Sequence, residues 1–268
     1  MKTTGVIVVT ALLGLLPLVA QAQRGLRTAQ LATPESFDGN FHYCRVVYRT
    51  HPYGDGGSWS TDYPDADANL SIRLGELTKT RVSRLPTGEP NHLIVRITDD
   101  ELFGCPFTMM QEVGSFSLNA EEAERLRTYL LKGGFLWVDD FWGSNAWTIW
   151  ATEIAKALPP AEYPIVDLPK DHPIFHTQYE LSDGVPQVPS INYWLGSGRD
   201  TSERGPDSAD VHERAIFDHR GRMMVFITHN TDISDSWERE GEDPNYFYTF
   251  SVSGYAVAVN ALLYAMTH

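Results

Sequence analysis

The sequence predicts an α/β fold in which helices cover a mainly parallel central sheet. Strand-like and helix-like patterns alternate through the middle of the chain, which is typical of sheets with helical crossovers. The run FLWVDD (135–140) is apolar on both faces, as a central parallel strand should be. The helix before it has a capping-box pattern at Asn119 and Glu122 and a terminal glycine at Gly133. These observations favour a single α/β domain at 40–268.

The individual elements follow from local patterns. Runs rich in β-branched and aromatic residues indicate strands, and apolar residues that repeat on one helical face indicate helices. A long loop rich in glycine and proline, 50–64, follows the first strand. The predicted strands are 41–48, 92–98, 106–113, 135–140, a segment starting at 163, and a pair within 214–230 that turns at 219–221. The predicted helices are 66–80, 117–134, 146–159 and 253–268.

Residues 1–22 have the pattern of a secretory signal peptide. Lys2 precedes an apolar run at 6–20, and Ala-Gln-Ala at 20–22 is a small-x-small cleavage pattern. The run of about 15 residues is shorter than the roughly 20 that cross a bilayer. We therefore expect an exported protein, periplasmic or extracellular, with a flexible linker at 23–39 and no transmembrane segment after cleavage.

Charge and composition exclude some classes of function. The hydrophobic content of 42% is enough for a sizeable core. The net charge of −14 would repel a polyanion, so we expect no nucleic-acid partner. An oxidising compartment would permit a disulfide between Cys44 and Cys105, but two buried thiols are equally compatible with their spacing.

The carboxyl end of the central strand is the first candidate site. Ligands of doubly wound sheets bind beyond such ends, where Asp139 and Asp140 lie. Adjacent strand residues point to opposite faces, so one acid is expected to bind a ligand or act as a base while the other supports the fold. The alternative is that both acids only bond loop amides or cap the next helix. A Gly-x-Ser-x-Gly or Gly-x-Cys-x-Gly elbow is absent from the sequence, which argues against acyl transfer at this turn.

The run DHPIFH (171–176) contains possible metal ligands. Two histidines four residues apart suit a metal on a helix, but Pro173 disfavours a regular helix here. A metal would also need a further ligand, such as Asp139 or Asp140. The simpler alternative is a tight turn whose apolar residues fill the core. We therefore expect no metal or other cofactor, and keep as low-ranking metal candidates Asp171, His172 and His176.

Tryptophans in loops suggest another kind of binding surface. They would line a sugar or aromatic-ligand cleft if exposed, or act as buried plugs if not. The segment 232–243 is rich in acids but lacks the ordered spacing of a calcium loop, which is more typical of a solvated face. The ligand-binding candidates are Trp59, Asp62, Asp140, Trp142, His229, Asp232 and Trp237.

Several segments, taken in order, carry a resemblance to a known family. They are FHYCRVVY, WSTDYPDADANLSIRLGELT, DDELFGCPFTMMQEVGSFSLNAEEAERLRTYLLKGGFLWVDDFWG, LPKDHPIFH, THNTDISDSWERE and SGYAVAVNALLYAMTH. Over 41–268 the chain resembles the bacterial domain-of-unknown-function family 4159. The resemblance implies a class I glutamine-amidotransferase-like, flavodoxin-like three-layer sandwich. In true amidotransferases this central strand leads to a cysteine elbow, whereas here 139–141 reads Asp-Asp-Phe, so amidotransferase activity is not implied.

The sequence therefore indicates an exported, non-catalytic binding or scaffolding domain. Relatives fused to membrane-anchored segments or encoded near chaperone-like ATPases imply work in the cell envelope, with an envelope protein or small ligand as partner. The rival function is a hydrolase, metal-assisted or not, that uses Asp139 or Asp140 with His172 or His176. A weaker alternative is carbohydrate binding through the loop tryptophans. Catalytic residues stay open, with Asp139, Asp140 and His172 as candidates.

Overall fold

The computed structural model describes residues 31–268. The predicted signal peptide and the first part of the predicted linker lie outside the described residues. The strands are β1 (Cys44–Val47), β2 (Arg49–Thr50), β3 (Leu93–Arg96), β4 (Phe107–Gln111), β5 (Phe116–Ser117), β6 (Phe135–Asp139), β7 (Ile165–Asp167), β8 (His212–Phe217) and β9 (Met223–His229). The helices are α1 (Asp65–Leu77), α2 (Ala120–Leu131), α3 (Gly143–Ala157), α4 (Ile191–Gly196), α5 (Asp235–Glu238), α6 (Pro244–Tyr246) and α7 (Val252–Thr267).

The main sheet has seven strands in the order β3-β1-β4-β6-β9-β8-β7. The five strands from β3 to β9 are mutually parallel, and β8 is antiparallel to both β9 and β7. A separate short pair joins β2 to β5. Helices α1, α5 and α7 pack together, as do α2 and α3, so helices flank the sheet. The predicted α/β class, with a mainly parallel sheet in a flavodoxin-like sandwich, is confirmed.

Local sequence explains where the helices begin and end. The Asn119 side chain accepts from the Glu122 amide at 2.8 Å, and the Glu122 carboxylate accepts from the Asn119 amide at 2.7 Å. This reciprocal capping box starts α2, and Gly133 beyond its end has φ 115°, a left-handed conformation that glycine adopts without strain. Helix α3 ends at Ala157, shortly before Pro159, which cannot continue a helix.

The core forms where the central strand meets both helical layers. The Trp137 ring lies 5.6 Å from Phe226 and 6.2 Å from Trp237, measured between ring centroids. Its neighbours Leu136 and Val138 point to the opposite face and are also fully buried. The continuous apolar run of this strand thus follows from its burial on both sides.

Two segments differ from the expectations. Part of the predicted linker is folded, because Leu31 pairs with Ile94 and the Ala32 amide donates to the Ile94 carbonyl at 2.9 Å. The last helix also begins before residue 253, since a π-helical turn joins α6 to α7. The combined helix, Pro244–Thr267, is long and apolar enough to cross a membrane, but 61% of its most apolar window is buried within the protein.

The strand order creates a switch point between β1 and β4. The chain passes from β1 outward to β3 and then crosses back to β4 on the other side of β1. In open α/β sheets a crevice forms outside the carboxyl ends of the strands at such a point. The loops that follow β1, β4, β6 and β9 therefore meet at this edge.

Cys44 and Cys105 form a disulfide. Their Cα atoms are 6.1 Å apart, and both residues are fully buried. The bond ties the first residue of β1 to the residue two positions before β4, across a sequence separation of 61. Of the two alternatives that the spacing left open, the structure therefore shows the bridge.

We expect the double substitution Cys44→Ala/Cys105→Ala to lower the free energy of unfolding by about 4 kcal/mol, because a closed loop of this length restricts the unfolded chain. Denaturant unfolding of the variant and of the oxidised wild type measures the difference. The wild type with excess reductant is the matched control and should approach the variant. Equal stability of oxidised and reduced wild type would contradict the prediction.

Candidate functional site

Residues with left-handed backbone conformations mark the carboxyl edge. Glu112, Asp140 and Asn230 directly follow β4, β6 and β9, with φ of 54°, 54° and 65°. Asp62, in the loop after β1, has φ 60°. Such conformations are uncommon for residues other than glycine and concentrate at functional sites. The turns place Asp62, Glu112 and Asp140 at one edge of the sheet, whereas the Asn230 side chain bonds to the Gly143 amide and the Asp210 carbonyl.

Asp139 and Asp140 have different surroundings. Asp139 is fully buried and accepts hydrogen bonds from the Thr228 hydroxyl at 2.6 Å and the Ser234 amide at 3.1 Å. Asp140 accepts from the Trp142 indole at 3.1 Å. Asp140 has a left-handed backbone conformation where the chain turns before α3. It therefore does not follow the alternation that points neighbouring strand residues to opposite faces. Asp139 therefore holds the segment after β9, whereas Asp140 joins a group of other acids.

We define the acidic site as six residues that converge on this edge: Asp62, Glu112, Asp140, Asp232, Asp235 and Glu238. One carboxylate oxygen from each of Asp62, Asp140 and Asp232 lies within 4.8 Å of the others. A second group with the same spacing consists of Asp62, Asp235 and Glu238. Asp62 thus belongs to both groups, and a cation at either position would find oxygen ligands.

Burial makes the acidic site hard to ionise. Asp140, Asp232 and Asp235 are 6%, 4% and 4% exposed, and burial, followed by the charges of neighbouring acids, raises their pKa values well above the ordinary range. Burial also raises the pKa of Asp62 and of Glu112 to about 7. The site therefore binds protons unless another positive charge replaces them.

The loop after β1 packs closely against Glu112. Gly56 has φ 111°, and a Cβ atom there would collide with the Glu112 carboxylate. Gly57 is also close, since a Cβ on it would lie 3.0 Å from Glu112 Oε1. The glycines predicted to form a turn thus also allow this loop to cover one side of the site.

A buried ion pair supports the opposite side. The Arg45 Nε donates to Asp67 Oδ1 at 2.9 Å and to Oδ2 at 3.0 Å. Arg45 also donates to the carbonyls of Trp59 and Thr61, at 3.1 and 2.9 Å, immediately before Asp62. Because Arg45 is already paired with Asp67, the acidic site keeps an excess of carboxylates over cations.

The candidate histidines lie elsewhere. The His172 ring packs against Phe217 and Tyr264, with centroids 5.9 and 5.6 Å away. Phe217 pairs with Met223, the first residue of β9, so His172 lies near the amino edge of the sheet, opposite Asp139 and Asp140. This position at the opposite end of the strands argues against a pairing of His172 or His176 with these acids.

The turn alternative for DHPIFH is the one observed. The His172 Nδ1 accepts from the Ile174 amide at 3.3 Å and caps a 3-10 turn, while Ile174 and Phe175 are buried. His176 contacts Glu180 at 2.7 Å and the Lys170 carbonyl at 2.8 Å. Among the described residues, the two groups with metal-ligand spacing contain none of the candidates Asp171, His172 and His176.

The three loop tryptophans are buried plugs. Trp237 is fully buried and stacks on Tyr255 with centroids 5.9 Å apart. Trp59 and Trp142 are 8% and 4% exposed. None of these rings presents a face to solvent, so their placement does not favour carbohydrate stacking. The candidate His229 is also outside the acidic site: its ring packs on Phe141, 4.7 Å away, and its Nε2 contacts the Gly143 carbonyl.

The acidic segment after β9 is only partly a solvated face. Asp232 and Asp235 are buried because the segment crosses the carboxyl edge and Trp237 anchors it in the core. Sequence reasoning placed Asp62, Asp140 and Asp232 among the ligand candidates but missed Glu112, Asp235 and Glu238. Glu112 lies at the carboxyl end of the predicted strand 106–113, so the argument used for Asp140 would have found it.

We expect the cation-free protein to be less stable at pH 8.5 than at pH 6.5. Asp62, Glu112 and Asp139 have folded-state pKa values raised to about 7, mainly by burial. The stability that their protons supply is complete below the unfolded pKa of about 4 and is lost as the pH rises through about 7. Burial lowers the folded-state pKa of His229 to about 4. This lowers the stability at acidic pH but not above the unfolded pKa of about 6.5.

Unfolding in the presence of a chelator measures this loss, which we expect to be about 2 kcal/mol. Asp62→Asn should make the free energy of unfolding less dependent on pH, because it removes one of the titrating groups. Glu242→Gln, at an exposed acid of the same segment as Asp232, is the control and should leave it unchanged. Stability that stays constant or rises over this range would contradict the assignment.

Comparison with known proteins relates the sequence to one protein family. No curated protein matches the chain. The sequence profile of a family described as "Domain of unknown function (DUF4159)" matches residues 43–266, which include every strand of the main sheet and all six members of the acidic site. The chain therefore belongs to the DUF4159 family.

Proposed function

We propose that this protein is an exported binding domain whose acidic site takes up divalent cations. The observation that carries the proposal is the convergence of Asp62, Asp140 and Asp232 within 4.8 Å at the switch point of the sheet. Carboxylate oxygens in such a group suit the hard cations Ca²⁺, Mg²⁺ and Mn²⁺. The cation departs from the sequence-based expectation of no metal, whereas a non-catalytic role, in which the cation shapes a surface for an envelope protein or small ligand, follows that expectation.

Electrostatics favour a cation over other ligands. The six carboxyls are close enough to raise one another's pKa values, so bringing a further negative charge to this edge would be costly. A divalent cation relieves that repulsion and displaces the bound protons. Cation affinity should therefore increase with pH through the range where these groups ionise.

The site supports two subsites that share Asp62. Asp140 and Asp232 complete one, and Asp235 and Glu238 complete the other. A carboxylate shared by two ligand groups is the arrangement expected where two metal ions are held close together. This observation favours a second candidate function, a metal-assisted hydrolase, in place of the acid–histidine pair. Hydrolysis of p-nitrophenyl phosphate by the Mn²⁺-loaded protein, absent from Asp62→Asn, would distinguish it from simple binding.

The wider fold family and the compartment belong to the same proposal. Asp140 occupies a strand–turn–helix elbow between β6 and α3, with the φ of 54° that such elbows require. This geometry supports a place in the class I glutamine-amidotransferase-like superfamily, with an acid in place of the thiol. The buried disulfide supports export, since such bonds persist in oxidising compartments.

Isothermal titration with CaCl2 and MnCl2 at pH 7.5, after chelator treatment, tests the cation site and its two subsites. We expect two bound ions per chain. Asp62→Asn should weaken binding of both ions because Asp62 contributes to each group, whereas Asp140→Asn and Glu238→Gln should each weaken binding of one. Each lost ligand should weaken its own subsite at least tenfold, or about 1.4 kcal/mol.

Glu242→Gln is the matched control, since it removes an exposed carboxylate of the same segment, and should bind as the wild type does. Absence of binding heat with Ca²⁺, Mg²⁺ and Mn²⁺, together with no rise in unfolding temperature, would overturn the proposed function. Binding of both ions to Asp62→Asn as tightly as to the wild type would overturn the assignment of Asp62 as a shared ligand.

A further inference from the structure

We propose that Gln111 is a positioning residue that Arg45 holds in a single orientation, so that it directs Asp62 and Asp232 toward a ligand. The part of this inference in which the ligand is a cation rests on the proposed function. The geometry of the side-chain amide stands independently, because the contacts that determine it lie beneath the acidic site.

Arg45 and Gln111 are both almost completely buried, on the neighbouring strands β1 and β4. The Arg45 Nη1 donates to Gln111 Oε1, while the other side of the guanidinium is paired with Asp67. A guanidinium has donors only, so the atom of Gln111 that faces it must be the amide oxygen. The opposite orientation would place two sets of donors against each other.

The fixed orientation turns the Gln111 amide nitrogen toward the acidic site. Its Nε2 donates to Asp62 Oδ2 at 2.8 Å and also to the Ser234 hydroxyl oxygen. Both amide hydrogens are therefore used. Since Ser234 Oγ accepts from Gln111, its own proton is free to go to an acid, and Asp232 Oδ1 lies 2.8 Å away.

A directional chain of hydrogen bonds thus runs from Arg45 through Gln111 to Asp62, and through Ser234 to Asp232. Each acid receives a donor on one oxygen. Within residues 31–268, no donor reaches Asp62 Oδ1 or Asp232 Oδ2, which leaves these atoms for a ligand. Partners that orient ligand side chains in this way commonly change metal affinity 10–100-fold when they are replaced.

Gln111→Glu tests the inference with little change in shape. The new carboxylate keeps an acceptor for Arg45 but loses both donors to Asp62 and Ser234. We expect Ca²⁺ affinity, measured by isothermal titration, to fall at least tenfold, with a smaller loss in Ser234→Ala. Gln178→Glu, an exposed position, adds the same charge and should bind Ca²⁺ as the wild type does. If Gln111→Glu does not fold, the Ca²⁺ affinity of Ser234→Ala tests the inference by itself.

A second measurement needs no cation. In the chelated wild type, both side-chain amide protons of Gln111 should exchange slowly with solvent in NMR spectra, because each is bonded in a buried setting. Rapid exchange would overturn the positioning role even if cations bind. Wild-type Ca²⁺ binding that survives in Gln111→Glu and Ser234→Ala would also overturn it. Slow exchange without any cation binding would instead leave the geometry supported and the proposed function refuted.

Discussion

The buried pair of Arg45 and Asp67 is the interaction on which this edge of the molecule depends. The guanidinium joins β1 to α1, holds the carbonyls before Asp62 and orients Gln111 at the end of β4. Removing one partner of a buried pair costs about 3–5 kcal/mol, because the other charge stays without compensation. A substitution of Arg45 or Asp67 would therefore destabilise the fold and disturb the acidic site at the same time.

The acidic site itself opposes folding. Burial raises the pKa values of its carboxyls, and ionising them without a counter-charge lowers stability. The left-handed conformations of Glu112, Asp140 and Asp62 add strain at the same edge. In proteins generally, backbone strain of this kind clusters at functional sites. The disulfide between Cys44 and Cys105 lies toward the other ends of the same strands, where it offsets part of this cost without entering the site.

The features that sequence patterns predicted depend on neighbouring residues, whereas the features they did not predict depend on contacts between distant segments. The capping box at Asn119 and the double-sided burial of β6 are local, so sequence patterns were sufficient to predict them. The burial of Trp237 and Asp232 depends on which face the segment after β9 crosses, and composition alone indicated a solvated loop. Whether Cys44 and Cys105 pair, and which acid accompanies Asp140, depends on strand order, which local patterns do not specify.

The turn after β6 explains how two adjacent acids take separate roles. The last strand residue, Asp139, is tied to Thr228 and Ser234 and keeps the segment after β9 in place. One residue later the backbone becomes left-handed and brings Asp140 toward Asp62 and Asp232. A carboxyl group among other buried carboxyls is favoured by a nearby positive charge, which is why the proposed cation site includes Asp140 and not Asp139.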